Sequence, residues 1–500
     1  AGAAGATPTA RAEYAASAAA AIAEAKSDLR ATRESREADL AAICRIPSVS
    51  AGAANAADVR AAGQWFVQAL HAAGLRNAAL HETSLHPVVT ASDASAGAGA
   101  PTLLLYGHFD VQPGDPFELW TSPPFSAEVR NGTMYARGVS DNKGQILAAV
   151  HAAGAMLRAA EALDERPPVN IKVFIEGAEE IGSPGVDEFV RAHAEELAAD
   201  AVLSTDGTQP PDGGAFMLGL RGLCSLQVDA FGASLDLHSG VYGGVVANPL
   251  HAVAYALASL RDPATNEITV PGFYDGVPEP TAEEVADWAA SAPDEEAILA
   301  DIGLPPGHYG GERGRTWAER NWNRPTLEVV GMHGGFQGEG MKTVLPREAH
   351  AKVAMRMVPG QDSERVRRLV GDAILEAAGR FAGVDTRVSY PEGGADAYVM
   401  PKDCPLNRAA ARTLRETYGS EPGWVRWGAT VPVTSLFREV LGVYTTTVGF
   451  GLDEDKWHSP DEALELERFS MAAGAYLGIY HNFRAVHDEG AGGAAPRDEL

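Results

Sequence analysis

Residues 102–110 read TLLLYGHFD: an apolar run from Thr102 to Tyr106, short enough for a buried strand, closes on a glycine, a histidine and a carboxylate two residues further on. The small-residue stretch Ala94–Pro101 before it reads as a loop. After it come a helical stretch from about Gly144 to Ala162, the alternating Val169–Ile175, a second helix near Val186–Ala198 and the short apolar Ala201–Ser204. Strands alternating with helices predict an α/β sandwich, in which catalytic groups tend to lie just beyond the carboxyl ends of strands. Upstream, the segment from about Ala10 to Cys44 is rich in Ala, Glu, Arg and Lys with almost no breakers, which predicts one or two helices before a turn around Ile46–Ser50.

From about Gly222 the pattern changes. A strand-like Cys224–Phe231, a helix Pro249–Leu260, a polar middle rich in Asp, Glu and Trp, and the alternating Ala349–Val358 predict an inserted α+β domain. Helix and strand alternation resumes after Lys402 and continues through Tyr480. The expected division is a first domain in two parts, 1–221 and 395–486, an inserted domain over 222–394, and a flexible tail over 487–500. That tail ends in RDEL, which resembles an endoplasmic-reticulum retrieval signal but reads as chance without a secretory leader.

With 500 residues the chain is long enough for two cores. Its 67 acidic against 40 basic residues give a net charge of -27, which argues against a nucleic-acid partner. Acidic groups gathered in a cleft would need cations to be tolerated. Hydrophobic residues make up 45% of the chain, and no apolar run reaches the roughly 18 residues that a membrane span needs. The three cysteines, Cys44, Cys224 and Cys404, are too few and too scattered for a disulfide framework or a cysteine zinc site. The start lacks the basic and apolar regions of an intact secretory signal; as it is not Met, removal of an earlier segment stays open.

Five constellations could carry chemistry. In Gly107-His108-Phe109-Asp110 an imidazole can bind a metal while a nearby carboxylate orients it. Arg137-Gly138-Val139-Ser140-Asp141-Asn142-Lys143-Gly144 is a Gly-bounded loop opening a helix, where Asp141 also fits an ordinary cap. Glu176-Gly177-Ala178-Glu179-Glu180 follows a strand, so neighbouring carboxylates can point differently. Ser204-Thr205-Asp206-Gly207 is again a strand end, and Trp457-His458-Ser459-Pro460-Asp461-Glu462 is a late loop. Each is weak alone. Together they offer histidine and carboxylate donors without cysteine, the ligand set of a hydrolytic zinc or manganese site.

In this order the five resemble the M20 family of metallopeptidases, most closely its carnosinase-like cytosolic dipeptidase branch. The resemblance spans about Asp39 to Phe483 and rests on GHFDVQP, WTSPPFSAEVRNGTMYARGVSDNKG, EGAEEIGSPG, DLHSGVYGG and the final His458. It implies a zinc-peptidase-like mixed sheet sandwiched by helices, with the inserted α+β domain serving as lid and dimerisation domain. It also implies a cytoplasmic homodimer that takes small peptides and holds two divalent ions, Zn or Mn, per subunit.

Carried over, Asp141 bridges the two ions, His108 and Asp206 complete one site, and Glu180 and His458 complete the other. Asp110 steadies His108, and Glu179 is the general base that deprotonates a metal-bridging water. His238 reaches a neighbouring subunit's site and stabilises the oxyanion. Thr343, Arg356, Thr430 and His458 bind substrate, with Arg356 suited to a dipeptide's free carboxylate. One departure stands in Arg426-Trp427-Gly428-Ala429-Thr430, where the branch reads Arg-Glu-Gly-Gly-Ser, so Trp427 replaces an acid. The alternative activity is an N-acyl amino acid deacylase or amidase on the same scaffold. No Gly-x-Ser-x-Gly elbow supports a serine hydrolase.

Overall fold

The computed structural model describes residues 8–210, 213–391 and 394–490. They divide into two compact units. One gathers the described residues up to Leu218, Met400–Trp424 and those from Leu436 onward; the other is Gly219–Val399 with Val425–Ser435. Against the sequence-based boundaries, the second unit starts at Gly219 and also draws in Val425–Ser435. The reason is non-local: the Arg221 N–H donates to the Trp427 and Ala429 carbonyls, and the Thr430 hydroxyl donates to the Arg221 carbonyl.

The first unit is built on a mixed sheet with the spatial order Ala79–His81, Val88–Asp93, Asn170–Glu176, Thr102–His108, Ala201–Ser204, Thr445–Thr447, Ala215–Leu220. Thr102–His108 lies between two parallel neighbours, Asn170–Glu176 and Ala201–Ser204. A strand covered on both faces reads as an unbroken apolar run, and Leu103, Leu104, Leu105 and Tyr106 are all fully buried. Three strands thereby end side by side, at His108, Glu176 and Ser204.

The helix Lys143–Ala162 packs against this sheet with fifteen of its twenty residues buried, which its run of alanines and glycines permits. Gly107 marks where the helix start comes closest: a Cβ there would meet Asn142 Oδ1 at 2.6 Å and Ile146 at 2.7 Å. The expected helix Val186–Ala198 is in fact two, Val186–Ala192 and Ala194–Leu197. The last helix, Leu466–Gly490, covers the start of the segment read as a flexible tail; residues 491–500, including RDEL, lie outside the described residues.

The second unit holds a four-stranded antiparallel sheet, in the order Thr326–Gly334, Glu348–Met357, Gly222–Phe231, Asp385–Ser389. Burial alternates along Gly222–Phe231 and Glu348–Met357, as it must when one face is covered. Val228, Val353, Met355, Val366 and Ile374 form that core beneath the helices Pro249–Ala258 and Ser363–Ala378. The polar middle is not featureless: Trp288 and Trp322 pack together with Ala318. No helix among the described residues is long and apolar enough to cross a membrane, and all three cysteines are free thiols.

Candidate metal and active site

His108 closes the central strand. Glu179 and Glu180 follow the neighbouring strand in a single 3-10 turn, Glu179–Ile181, while Asp206 lies two residues past the strand Ala201–Ser204. Asp141 comes from the loop that opens the long helix, and the Asp141–Asn142 peptide is cis. His458 comes from a late loop in the left-handed region, φ 57°. The sheet order alone therefore brings strand ends together, and two loops complete the group.

Asp141 is the centre of the cluster. Its Oδ1 lies 3.1 Å from His108 Nε2 and its Oδ2 lies 3.0 Å from His458 Nε2. On the first side Asp206 Oδ2 is 3.7 Å from His108 Nε2; on the second, Glu180 Oε2 is 3.1 Å from His458 Nε2. Donor atoms of His108, Asp141 and Glu180 lie within 4.8 Å of one another. Four-coordinate zinc with bonds of about 2.0 Å has donor–donor edges of about 3.3 Å, and these separations cluster around that value. The residues fit a pair of divalent ions.

The charges point the same way. Burial would raise the Asp141 carboxyl, yet hydrogen bonds from His108 and His458 hold it well below the usual carboxylate range. Asp141 and Glu180 push the His458 imidazolium up to about 10. Burial would lower His108, but Asp110, Asp141 and Asp206 hold it well above its ordinary value. Burial, then the charge of Asp141, raises Glu180. Without cations the cluster thus retains protons at the positions where metals would sit. Glu179 is raised well above the carboxylate range by burial and by Asp206 and Glu180, against the pull of His108.

Asp110 does more than the sequence suggests. Its two carboxylate oxygens accept the N–H groups of Glu179 and Glu180, 3.1 Å each, and so fix the turn that carries both. Toward His108 Nδ1 the nearer oxygen is the Asp110 backbone carbonyl at 3.1 Å, with Oδ1 at 3.4 Å. Three further residues escaped sequence reasoning. Gln112 Nε2 donates to Glu180 Oε2 at 2.9 Å, and Asn142 Nδ2 to Asp206 Oδ1 at 3.3 Å. Buried Glu462 accepts from the backbone N–H groups of Gly138, Ser140 and Asp141 and from Arg137. Glu462 and Asn142 stand inside motifs already noticed; nothing local distinguishes their roles.

The other expected site residues lie in the second unit as two pairs. The exposed His238 is on the short strand Leu237–His238, paired with Val344–Leu345, and the Ser239 N–H donates to the Thr343 carbonyl at 3.0 Å. Arg356 Nη1 donates to the Thr430 hydroxyl at 2.5 Å. Burial shifts the Arg356 guanidinium downward, with no carboxylate among the described residues opposing it. At the departure from the family pattern, Arg426 is paired with Glu284 and donates to Asn323 Oδ1 at 3.0 Å.

Histidine and carboxylate donors gathered where parallel strands end in an α/β unit define a metal-dependent hydrolase. More narrowly, the chain belongs to peptidase family M20/M25/M40, whose family model matches residues 104–482. It is 32% identical over 396 residues to the Cys-Gly metallodipeptidase dug1 of Schizosaccharomyces pombe, covering 77% of this chain and 80% of that one. It is 30% identical over 400 residues to the human Beta-Ala-His dipeptidase, covering 78% and 76%. Among solved structures, the di-peptidase Dug1p from Saccharomyces cerevisiae superposes with a TM-score of 0.77 at 25% identity, over 93% of this chain and 98% of that one.

Proposed function

We propose that this protein is a metallodipeptidase that hydrolyses the peptide bond of dipeptides or short peptides, using two divalent ions bridged by Asp141. The observation that carries this reading is the split of the Asp141 carboxylate between His108 at 3.1 Å and His458 at 3.0 Å, each histidine backed by a second carboxylate. His108 and Asp206 would hold one ion, Glu180 and His458 the other. The oxygen and nitrogen donor set suits zinc or manganese.

Bound there, the ions supply Lewis acidity to the scissile carbonyl and a more acidic water, effects worth several kcal/mol in the transition state. Glu179, whose carboxyl is held well above its ordinary value by burial and by the charges of Asp206 and Glu180, accepts the water proton and returns it to the leaving amine nitrogen. Asp110 positions that base by holding the Glu179 N–H. Arg356, which has no carboxylate partner among the described residues, would bind the substrate's free carboxylate, with Thr430, Thr343 and His458 completing the binding surface and His238 reaching a neighbouring subunit's site to stabilise the oxyanion.

The first unit would form the catalytic domain, and Gly219–Val399 with Val425–Ser435 a lid that also dimerises. Support for a homodimer comes from the edge strand Thr326–Gly334, which exposes Val329, Val330 and Met332, a surface suited to pairing with a second copy. Free thiols at Cys44, Cys224 and Cys404 suit the reducing cytoplasm. Relatives named as dipeptidases weigh against the deacylase alternative.

The test is hydrolysis of Cys-Gly, β-Ala-His and N-acetyl amino acids by the purified protein, after chelation and after adding back zinc or manganese. Metal-restored cleavage of the dipeptides is expected. Cleavage of the N-acetyl amino acids alone would refute the reading.

A further inference from the structure

We propose that Arg221 is a specificity-determining residue of the reaction: beside Arg356 it makes a second carboxylate seat, which selects dipeptides whose C-terminal residue is acidic, given the reading that Arg356 takes the substrate's α-carboxylate. Both arginines belong to the second unit. Arg356 stands opposite Leu223 in the antiparallel ladder, and Arg221, two residues before Leu223, continues the same face. That face is the one the helices leave open: Leu223 and Arg356 are half-buried, whereas Cys224 and Met355, which point the other way, lie in the core. The loop 427–430 touches both residues. Its Gly428 carbonyl accepts from Arg221 Nε at 2.9 Å, and its Thr430 hydroxyl accepts from Arg356 Nη1 at 2.5 Å while donating to the Arg221 carbonyl at 2.6 Å. Gly428 leaves room for the guanidinium, since a Cβ there would meet Arg221 Nη2 at 2.5 Å.

The two arginines differ from their neighbours in having no counter-charge. Arg261, Arg315, Arg320, Arg324, Arg367 and Arg426, the other arginines of this unit that are not exposed, are each ion-paired with a carboxylate. Arg221 and Arg356 have no such pair among the described residues. Neither Nη atom of Arg221 has a hydrogen-bond partner among those residues, and neither is a sealed orphan, so both meet solvent; Nε and Nη2 of Arg356 are in the same state. Burial, then the charge of Arg356, lowers the Arg221 guanidinium to about 10 against the pull of Glu328, a carboxylate that Arg261 already engages at 3.5 Å. The loop supplies no acid either, because Trp427 stands where the family pattern has one. A purely structural arginine would need only the Nε bond to Gly428. Two half-buried like charges that act on each other cost stability, which an incoming anion offsets. The fork of Arg356 takes one carboxylate, and the free Nη pair of Arg221 takes a second, the side chain of an aspartate or glutamate.

The experiment compares Ala-Glu with Ala-Gln, which differ only in the side-chain carboxylate, by calorimetric titration of the metal-loaded Glu179→Ala protein, in which turnover is suppressed. Ala-Glu should bind at least about tenfold tighter, and Arg221→Gln in the same background should abolish that preference while leaving Ala-Gln within about twofold. Arg356→Ala should weaken both dipeptides alike, since both carry the α-carboxylate. If Arg221→Gln does not fold, Gly428→Ala decides: its Cβ displaces Arg221 Nη2, and the preference should fall there too. No binding of either dipeptide, equal affinities before substitution, a preference that survives it, or an equal loss of both dipeptides in Arg221→Gln overturns the inference. Tight binding of Ala-Glu through Arg221 by a parent enzyme that cleaves no dipeptide would keep this seat and refute the dipeptidase; cleavage of both dipeptides without the preference would do the reverse.

Discussion

Arg137 and Glu462, 325 positions apart in the chain, meet at 2.8 Å with side chains that are each 1% exposed. The same carboxylate accepts three backbone N–H groups of the loop that ends on Asp141. Ser140 is held again from the other side, by its hydroxyl to Asp455 Oδ2 at 2.7 Å and by Trp457 Nε1 at 3.0 Å. The Asp141 carboxylate therefore owes its position to a late loop of the chain, the same loop that carries His458.

Glu462→Ala leaves a buried guanidinium and three N–H groups unpaired. We expect a loss of about 3–5 kcal/mol in stability, read as a lower thermal midpoint, together with weaker metal retention after dialysis. A variant that keeps both would show that the loop holds Asp141 unaided.

Glu179→Ala separates base from ligand. Turnover should fall by about 10²- to 10⁴-fold, the usual contribution of a general base, while metal content measured by elemental analysis stays at the parent level. Loss of metal along with turnover would make Glu179 a ligand instead.

Metal uptake should strengthen as pH rises from 6 to 8. His458, pushed up to about 10 by Asp141 and Glu180 in the metal-free cluster, carries a proton throughout that range and must release it to bind an ion. Calorimetry in buffers of different ionisation enthalpy should record proton release on binding. Zinc or manganese at about 100 times its dissociation constant should add about 2.7 kcal/mol of stability, seen as a raised melting temperature that chelation reverses.

Arg356→Ala should raise KM for a dipeptide by about 10- to 100-fold, the loss of one charge-assisted hydrogen-bonded pair. The C-terminally amidated dipeptide, which offers no carboxylate, should show little further loss in the variant. Equal losses for both substrates would mean that Arg356 acts through Thr430 and the fold rather than on the substrate.

Much of this protein was legible in its sequence because the signals are local. A strand buried on both faces must be apolar throughout, so Thr102–Tyr106 announced a buried strand, which the structure shows as Thr102–His108 between two parallel neighbours. His108 ends its strand, Glu179, Glu180 and Asp206 stand just past theirs, where side chains leave the sheet, and the order of motifs carried the family. What only the tertiary structure decided are contacts between distant parts of the chain. Asp141 meets His458 across 317 positions and Glu462 across 321, and Arg221 holds Thr430 across 209, which draws Val425–Ser435 into the second unit. Periodicity and spacing record how one segment buries its own faces; they hold no information about which remote backbone N–H a carboxylate will satisfy once it is buried. That is why the histidines and carboxylates that the structure gathers could be singled out in the sequence, while Glu462, Asn142 and Gln112, which hold them in place, could not.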